Sequence, residues 1–134
     1  MRDDGCAAAE APQAAKQALI ERLRFAAEDD HAESMYLLGL AAAQGRGLAQ
    51  DDTEAARWFH LAAKKGHARA RCALGFLFAK GRGVRYDPIQ AYVEFKQAAA
   101  AGDPQALDCV RRLRLRLDQR QIHLAEERLA KLKV

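Results

Sequence analysis

Four histidines (His31, His60, His67, His123), three cysteines (Cys6, Cys72, Cys109) and two carboxylate pairs (Asp29-Asp30, Asp51-Asp52) are the residues here that could hold a metal, relay a proton or attack an electrophile. Their spacing does not suit any of those tasks. Neither CxxC nor HExxH, common signatures of redox and zinc sites, occurs, and an odd set of three widely separated cysteines fits reduced thiols better than a disulfide framework. Cys72 and Cys109 suit small buried hydrophobes, with Cys6 in a flexible lead. The two Gly-Arg-Gly triplets, 45–47 and 81–83, lack the GxxxxGK[ST] or GxGxxG context that cradles phosphate. The carboxylate pairs sit where helices should begin, and a capping role is sufficient for them. No catalytic residue, metal site or cofactor is expected.

The elements that carry these residues must be helices. Of 134 residues, 30 are alanine, the strongest helix former, and only seven are the strand-favouring Val or Ile. Half the chain is hydrophobic and 30% is charged, a balance suited to one soluble globular domain. No run approaches the roughly 18 consecutive apolar residues of a membrane span, so no membrane partner is expected. The N-terminus carries an acidic pair where a secretory signal would need an apolar stretch, and the chain reads as cytoplasmic, or periplasmic if a signal segment was removed. The net charge of +4 is concentrated at one end: residues 111–134 hold 8 Lys/Arg against 3 Asp/Glu.

Internal repetition fixes the fold class. Residues 26–61 and 62–97 align at an offset of 36 with 13 identities, among them His31/His67, Leu38/Leu74, Gly39/Gly75, the Gly-Arg-Gly triplets, Asp51/Asp87, Ala55/Ala91 and Phe59/Phe95. Each unit reads as two helices. Helix A runs from about His31 to Gln44 and from about His67 to Lys80, ended by Gly45/Gly47 and Gly81/Gly83. Helix B follows Asp51 or Asp87, the latter with Pro88 in its first turn, and carries a small-residue and phenylalanine stripe at helical spacing. Gly39 and Gly75 fall inside helix A, where glycine is costly unless another helix crosses closely. Residues 12–29 read as the second half of a leading partial unit after a disordered lead over 1–11. A third unit opens at Asp103-Pro104 and loses the pattern, with Arg111 where Gly39 and Gly75 stood. The result is an all-α solenoid of helix-turn-helix units over 12–110 with a basic helical cap over 111–134.

The unit His-Ala-x-Ala-x-x-x-Leu-Gly-x-Leu-Phe-x-x-Gly-Arg-Gly-Val at 67–84, followed by Asp87 and an aromatic-then-Ala-Ala helix, resembles the Sel-one-like repeat, a relative of the tetratricopeptide repeat. The resemblance implies an α/α solenoid that serves as a non-catalytic protein-binding adaptor. This chain departs from the pattern at Ser34, at Ala41-Ala42 and at Cys72, which stands where Tyr36 stands one unit earlier. Members of that family with regular cysteine pairs in each unit are described as binding or hydrolysing β-lactams. The pairs are missing here, so that activity remains only a distant alternative.

In such solenoids helix A lines the concave side, and the positions the repeat pattern leaves free define a candidate ligand face. These are Leu37, Leu40, Arg69, Ala73, Phe76, Lys80, Arg112 and Arg116, apolar at one end and basic at the other. The implied partner is another protein, a peptide or helix with apolar anchors and acidic flanks. Burial of Leu40 and Phe76 under neighbouring helices is the competing expectation.

The C-terminal segment alternates Leu113, Leu115 and Leu117 with arginine, a strand-like period, yet Val110, Leu113 and Leu117 also fit a helix in phase with the repeats. Asp118 and Gln121 stand in capping-box register, and Ile122, Ala125, Leu129 and Leu132 form a stripe, which predicts a helix over about 119–133 that covers the last unit. A homodimer seam along that helix is one alternative. Nucleic-acid binding through the arginines is another, disfavoured because 111–134 has no aromatic residue for base stacking.

Overall fold

A computed structural model describes residues 3–29, 31–45 and 49–132, with side chains from Ala15 onward. The described residues form seven helices and no strand: α1 (Asp3–Glu28), α2 (Ala32–Gln44), α3 (Asp52–Lys64), α4 (Ala68–Lys80), α5 (Pro88–Ala100), α6 (Ala106–Arg114) and α7 (Gln119–Leu132). Helices α2 and α4 are the A helices and α3 and α5 the B helices of two units 36 residues apart. α2 pairs with α3 and α4 with α5, while contacts of α3 with α4 and α5 with α6 join successive units.

Local chemistry sets each boundary. The N-cap of α2 is His31 and that of α4 is His67, and each imidazole Nδ1 accepts a backbone N–H three residues on, from Ser34 at 3.3 Å and Ala70 at 3.1 Å. The B helices use carboxylates instead: Asp51 accepts from Glu54 N–H at 3.1 Å and Asp87 from Gln90 N–H at 3.0 Å, with Pro88 in the first turn of α5. Each A helix ends on a left-handed glycine, Gly45 at φ +71° and Gly81 at φ +67°, whose N–H returns to Ala41 or Leu77 carbonyl oxygen.

Asp51 thus caps as expected. Before α2 the N-cap is His31; Asp30 of the acidic pair and Gly47 lie outside the described residues, as does the side chain of Cys6. Asp52 is not a cap. Its carboxylate takes a two-pronged contact from Arg82 of the next unit, Nε to Oδ2 at 3.1 Å and Nη2 to Oδ1 at 3.0 Å. There Gly83 rests so closely on the Asp52 carbonyl that any side chain would collide with it.

The core is built on the mid-helix glycines. A Cβ on Gly39 would stand 2.5 Å from Phe59 Cε1, and one on Gly75 would stand 2.8 Å from Phe95 Cε1. Each glycine therefore admits the phenylalanine of its own unit's B helix, as the close-crossing expectation requires. Phe59 and Phe95 are both buried, flanked by Ala55, Ala62, Ala91 and Ala98, all fully enclosed. Burying such a ring contributes roughly 2 kcal/mol.

Two boundaries differ from the sequence expectation. First, α1 begins at Asp3, so the stretch through residue 11 is helical where a disordered lead was expected; its alanine run has the propensity to extend the helix N-terminally. Second, α6 opens at Ala106 and not at Asp103-Pro104, because Asp103 turns inward, 8% exposed, and accepts from Gln105 N–H at 3.4 Å. α7 has the expected span and a reciprocal capping box, Asp118 N–H to Gln121 Oε1 at 3.0 Å and Gln121 N–H to Asp118 Oδ1 at 2.8 Å, and it packs on α5 of the last full unit, without pairing with α6 as α3 pairs with α2. Arg111 occupies the glycine position of α6, so no B helix can cross there closely. The stripe of Ile122, Ala125 and Leu129 accordingly faces the α5 cluster, whereas Leu132 stays exposed. A dimer seam on this stripe would need it free. The strand-like leucines resolve in favour of the helical pattern: Leu113 and Leu117 are buried and Leu115 is 89% exposed.

Tyr92 locks α7 to α5. Fully buried, it donates its hydroxyl to Glu126 Oε1 at 2.7 Å, and Lys96 Nζ lies 5.8 Å from its ring centroid. Desolvation, reinforced by the hydrogen bond to the Glu126 carboxylate, pushes the Tyr92 phenol up to about 12.

Two outcomes follow for stability. Gly75→Leu places a branched side chain against the Phe95 ring and should destabilise by about 2 kcal/mol or more, read as a clear fall in melting temperature; an unchanged melt would contradict the crossing. For Tyr92 the folded state favours the neutral phenol. Its contribution is therefore complete below the ordinary tyrosine value of 10.0 and falls as pH rises from there toward 12. Denaturant melts should show less loss of stability between pH 9.5 and 12 for Tyr92→Phe than for the parent chain, and equal loss would contradict the assignment.

Candidate functional site

Along the face presented by the A helices lie three cavities in a row, each sharing a lining residue with the next, which together form a groove. The first, about 350 Å³, lies between α1 and α2 and includes Leu19, Ile20, Leu23, Leu37 and Leu40. The second, about 430 Å³, lies between α2 and α4, takes in Leu40, Arg69, Ala73 and Phe76, and is closed by Asp103, Pro104 and Gln105. The third, about 260 Å³, lies between α4 and α6 and is lined by Phe76, Lys80, Arg112 and Arg116 over Phe95, Cys109 and Leu113. Leu40 bridges the first two cavities and Phe76 the last two.

All eight residues expected on this face line the groove. Leu37 is 38% and Phe76 42% exposed, although the Phe76 ring also packs edge-on against Phe95 with centroids 5.2 Å apart. Leu40 and Ala73 are half-buried against the core. The burial expectation therefore holds in part for Leu40 and fails for Phe76.

The structure adds residues that the period alone did not single out. Tyr36 belongs to the wall of the middle cavity and stacks on His67 with centroids 4.6 Å apart, and the His67 Nε2 edge meets Glu33 Oε2 at 2.6 Å. With Nδ1 accepting from Ala70, His67 is the Nε2–H tautomer, and it joins α4 to α2. Asp103 places a carboxylate in the middle of the groove. It stands beside the Cys72 thiol, whose ionisation is pushed up by burial first and then by that carboxylate; burial also raises Cys109, against an opposing pull from Arg112. The signal for Asp103 was its register, since it occupies the histidine cap position one unit on.

The arrangement offers shape and charge. His31 Nδ1 and Ser34 Oγ lie 2.6 Å apart, the one histidine–hydroxyl contact among the described residues, but Ser34 is buried and the pair serves the start of α2. His60 is exposed, and His123 meets Glu127 on the surface. A larger cavity, about 560 Å³, opens between α5 and α7, where Arg71 is already held by Glu94, Gln97 and the Ala63 carbonyl and Lys96 by Glu126. Its charged side chains are committed within the fold.

Two stacked helix-turn-helix units with flanking half units, and a groove along the A helices, define an α/α solenoid of the repeat-scaffold class. The Sel1 repeat model matches residues 32–67 and 68–103, and the chain belongs to that family. Proteins of this family generally mediate protein–protein interactions. Among solved structures, the chain is 30% identical to a Sel1 repeat protein from Oxalobacter formigenes, with a TM-score of 0.65 over 68% of this chain and 37% of that one. It is 28% identical to c5321, a protective antigen of uropathogenic Escherichia coli with an SLR fold, with a TM-score of 0.80 over 84% of this chain and 24% of that one. Against Helicobacter pylori cysteine rich protein B the identity is 26% and the TM-score 0.67, over 70% of this chain and 71% of that one. The chain thus spans little more than a third of the first of these proteins and about a quarter of the second. No curated protein sequence matches it.

The buried thiols yield a direct check. In a Cys6→Ser variant, Cys72 and Cys109 should react with a soluble thiol reagent at pH 8 at least 100-fold more slowly when folded than in denaturant, because both are enclosed and held as thiols. Rapid labelling of the native protein would contradict their placement.

Proposed function

We propose that this chain is a non-catalytic adaptor that holds a partner peptide or helix along the α2–α4–α6 groove, with apolar anchors toward α1 and acidic residues toward α6. The observation that carries this reading is Phe76, a large aromatic left 42% exposed at the junction of two cavities. An apolar ring kept exposed on such a face, where its apolar end meets its basic end, is the usual anchor of a binding surface. Arg69, Lys80, Arg112 and Arg116 supply the positive rim that acidic flanks would meet.

Selection of a random peptide library on the full chain tests the proposal. Enriched peptides should combine apolar and acidic residues, and Phe76→Ala should weaken them by roughly 2 kcal/mol, about 30-fold, while costing clearly less in folding stability because the ring is only half covered. A large stability loss with unchanged peptide affinity would make Phe76 a core residue and end the groove assignment. Binding governed by a steep salt dependence toward single-stranded nucleic acid, with no peptide enriched, would favour the basic segment as the functional surface.

A further inference from the structure

The α6 end of the groove has a charge pattern that a general peptide groove does not require. Lys80, Arg112 and Arg116 line a single cavity of about 260 Å³ with no carboxylate in its lining. Among the described residues none of the three has an ion-pair or hydrogen-bonding partner, a state shared with surface cations such as Arg85 and Arg120; what sets the three apart is that they line one cavity. The preference of cations for helix C-termini accounts for Lys80 at the end of α4 and Arg112 in the last turn of α6. It does not account for Arg116, which lies beyond α6, nor for the convergence of all three on one apolar-floored hollow. Like charges gathered in this way repel one another until an anion joins them.

We propose that this cavity is a subsite for an aryl phosphate, the phosphotyrosine side chain of a partner peptide. A carboxylate would offset one of three positive charges, whereas a phosphate monoester brings a charge of about −1.5 to −2 and three strong acceptor oxygens at neutral pH. Two guanidinium groups are suited to phosphate through paired N–H donors, with the lysine as a third point charge. The walls fit the rest of the group: Phe76 is exposed toward the hollow and Phe95 and Leu113 form its floor, which gives an aromatic ring an apolar seat beside the cations. Arg112 stands one turn from Cys109 on α6, and both line the hollow. The proposal rests on the groove reading for the identity of the ligand as a peptide, but the subsite can be probed without any peptide.

The test uses the full chain and phenyl phosphate at pH 7.5, with benzoate as the monoanionic control, followed by the arginine Nε–H signals in NMR titrations. Phenyl phosphate should shift the Arg112 and Arg116 signals saturably, with a dissociation constant at least tenfold below that of benzoate. Arg112→Gln and Lys80→Gln, both at exposed positions, should each weaken it by fivefold or more at an unchanged melting temperature. Equal affinity for benzoate, shifts centred on other arginines, or indifference to both substitutions would overturn the subsite, as would displacement of phenyl phosphate by an equal phosphate concentration of oligothymidylate, whose diesters carry a single charge each. Failure here leaves the groove reading standing on Phe76→Ala. Failure at Phe76 with phenyl phosphate still bound removes the groove and keeps the anion site.

Discussion

The fold depends on one contact made twice: a phenylalanine of helix B seated on a glycine of helix A. At Gly39 and Gly75 no side chain intervenes, and the rings of Phe59 and Phe95 approach to where even a methyl group would collide. The glycines cost helix propensity of up to about 1 kcal/mol each, and the buried rings more than offset it. Where the contact cannot form, the architecture changes. Arg111 stands at the third glycine position, α6 acquires no B helix of its own, and α7 packs on α5 instead.

The groove is a consequence of the same constraint. Once one side of each A helix is committed to its glycine crossing and another to the preceding unit, a single arc remains, and its residues 36 positions apart fall into rows. Leu37, Ala73 and Cys109 form one such row, Leu40, Phe76 and Arg112 a second, and Gln44, Lys80 and Arg116 a third. The rows change character along the solenoid, from leucines beside α1 to arginines beside α6. A repeated scaffold thereby presents a graded surface, apolar to basic, without any change in backbone design.

Much of this was legible in the sequence because a period supplies its own alignment. Matching Gly39 to Gly75 and Phe59 to Phe95 fixed the crossings, and subtracting the constrained positions located Leu37, Phe76, Lys80 and Arg116 on one face. The features that escaped have physical reasons. The His31 and His67 caps look like acid or metal ligands by residue type, and only the hydrogen bonds of Nδ1 reveal their task. Asp103 carries a cap-position residue into a break of the pattern, and its inward turn combines a local bond from Gln105 N–H with a contact to Cys72, 31 residues away, that the period does not reveal. The landing of α7 on α5 is settled by Tyr92 and Glu126, 34 residues apart, a pairing outside the repeat register. The N-terminal reach of α1 reflects alanine propensity overriding the expected boundary.

The glycine–phenylalanine crossing is tested most directly by a double-mutant cycle at Gly75 and Phe95, with stabilities taken from denaturant unfolding. In the parent chain Gly75→Ala should destabilise, because its methyl meets the Phe95 ring; in a Phe95→Leu background the same change should be neutral or stabilising, as alanine regains helix propensity once the ring is gone. A coupling of about 1 kcal/mol or more with that sign is the predicted result. Additive effects of the two substitutions would show that the glycine and the ring do not depend on each other, and the account of how this solenoid is assembled would be wrong.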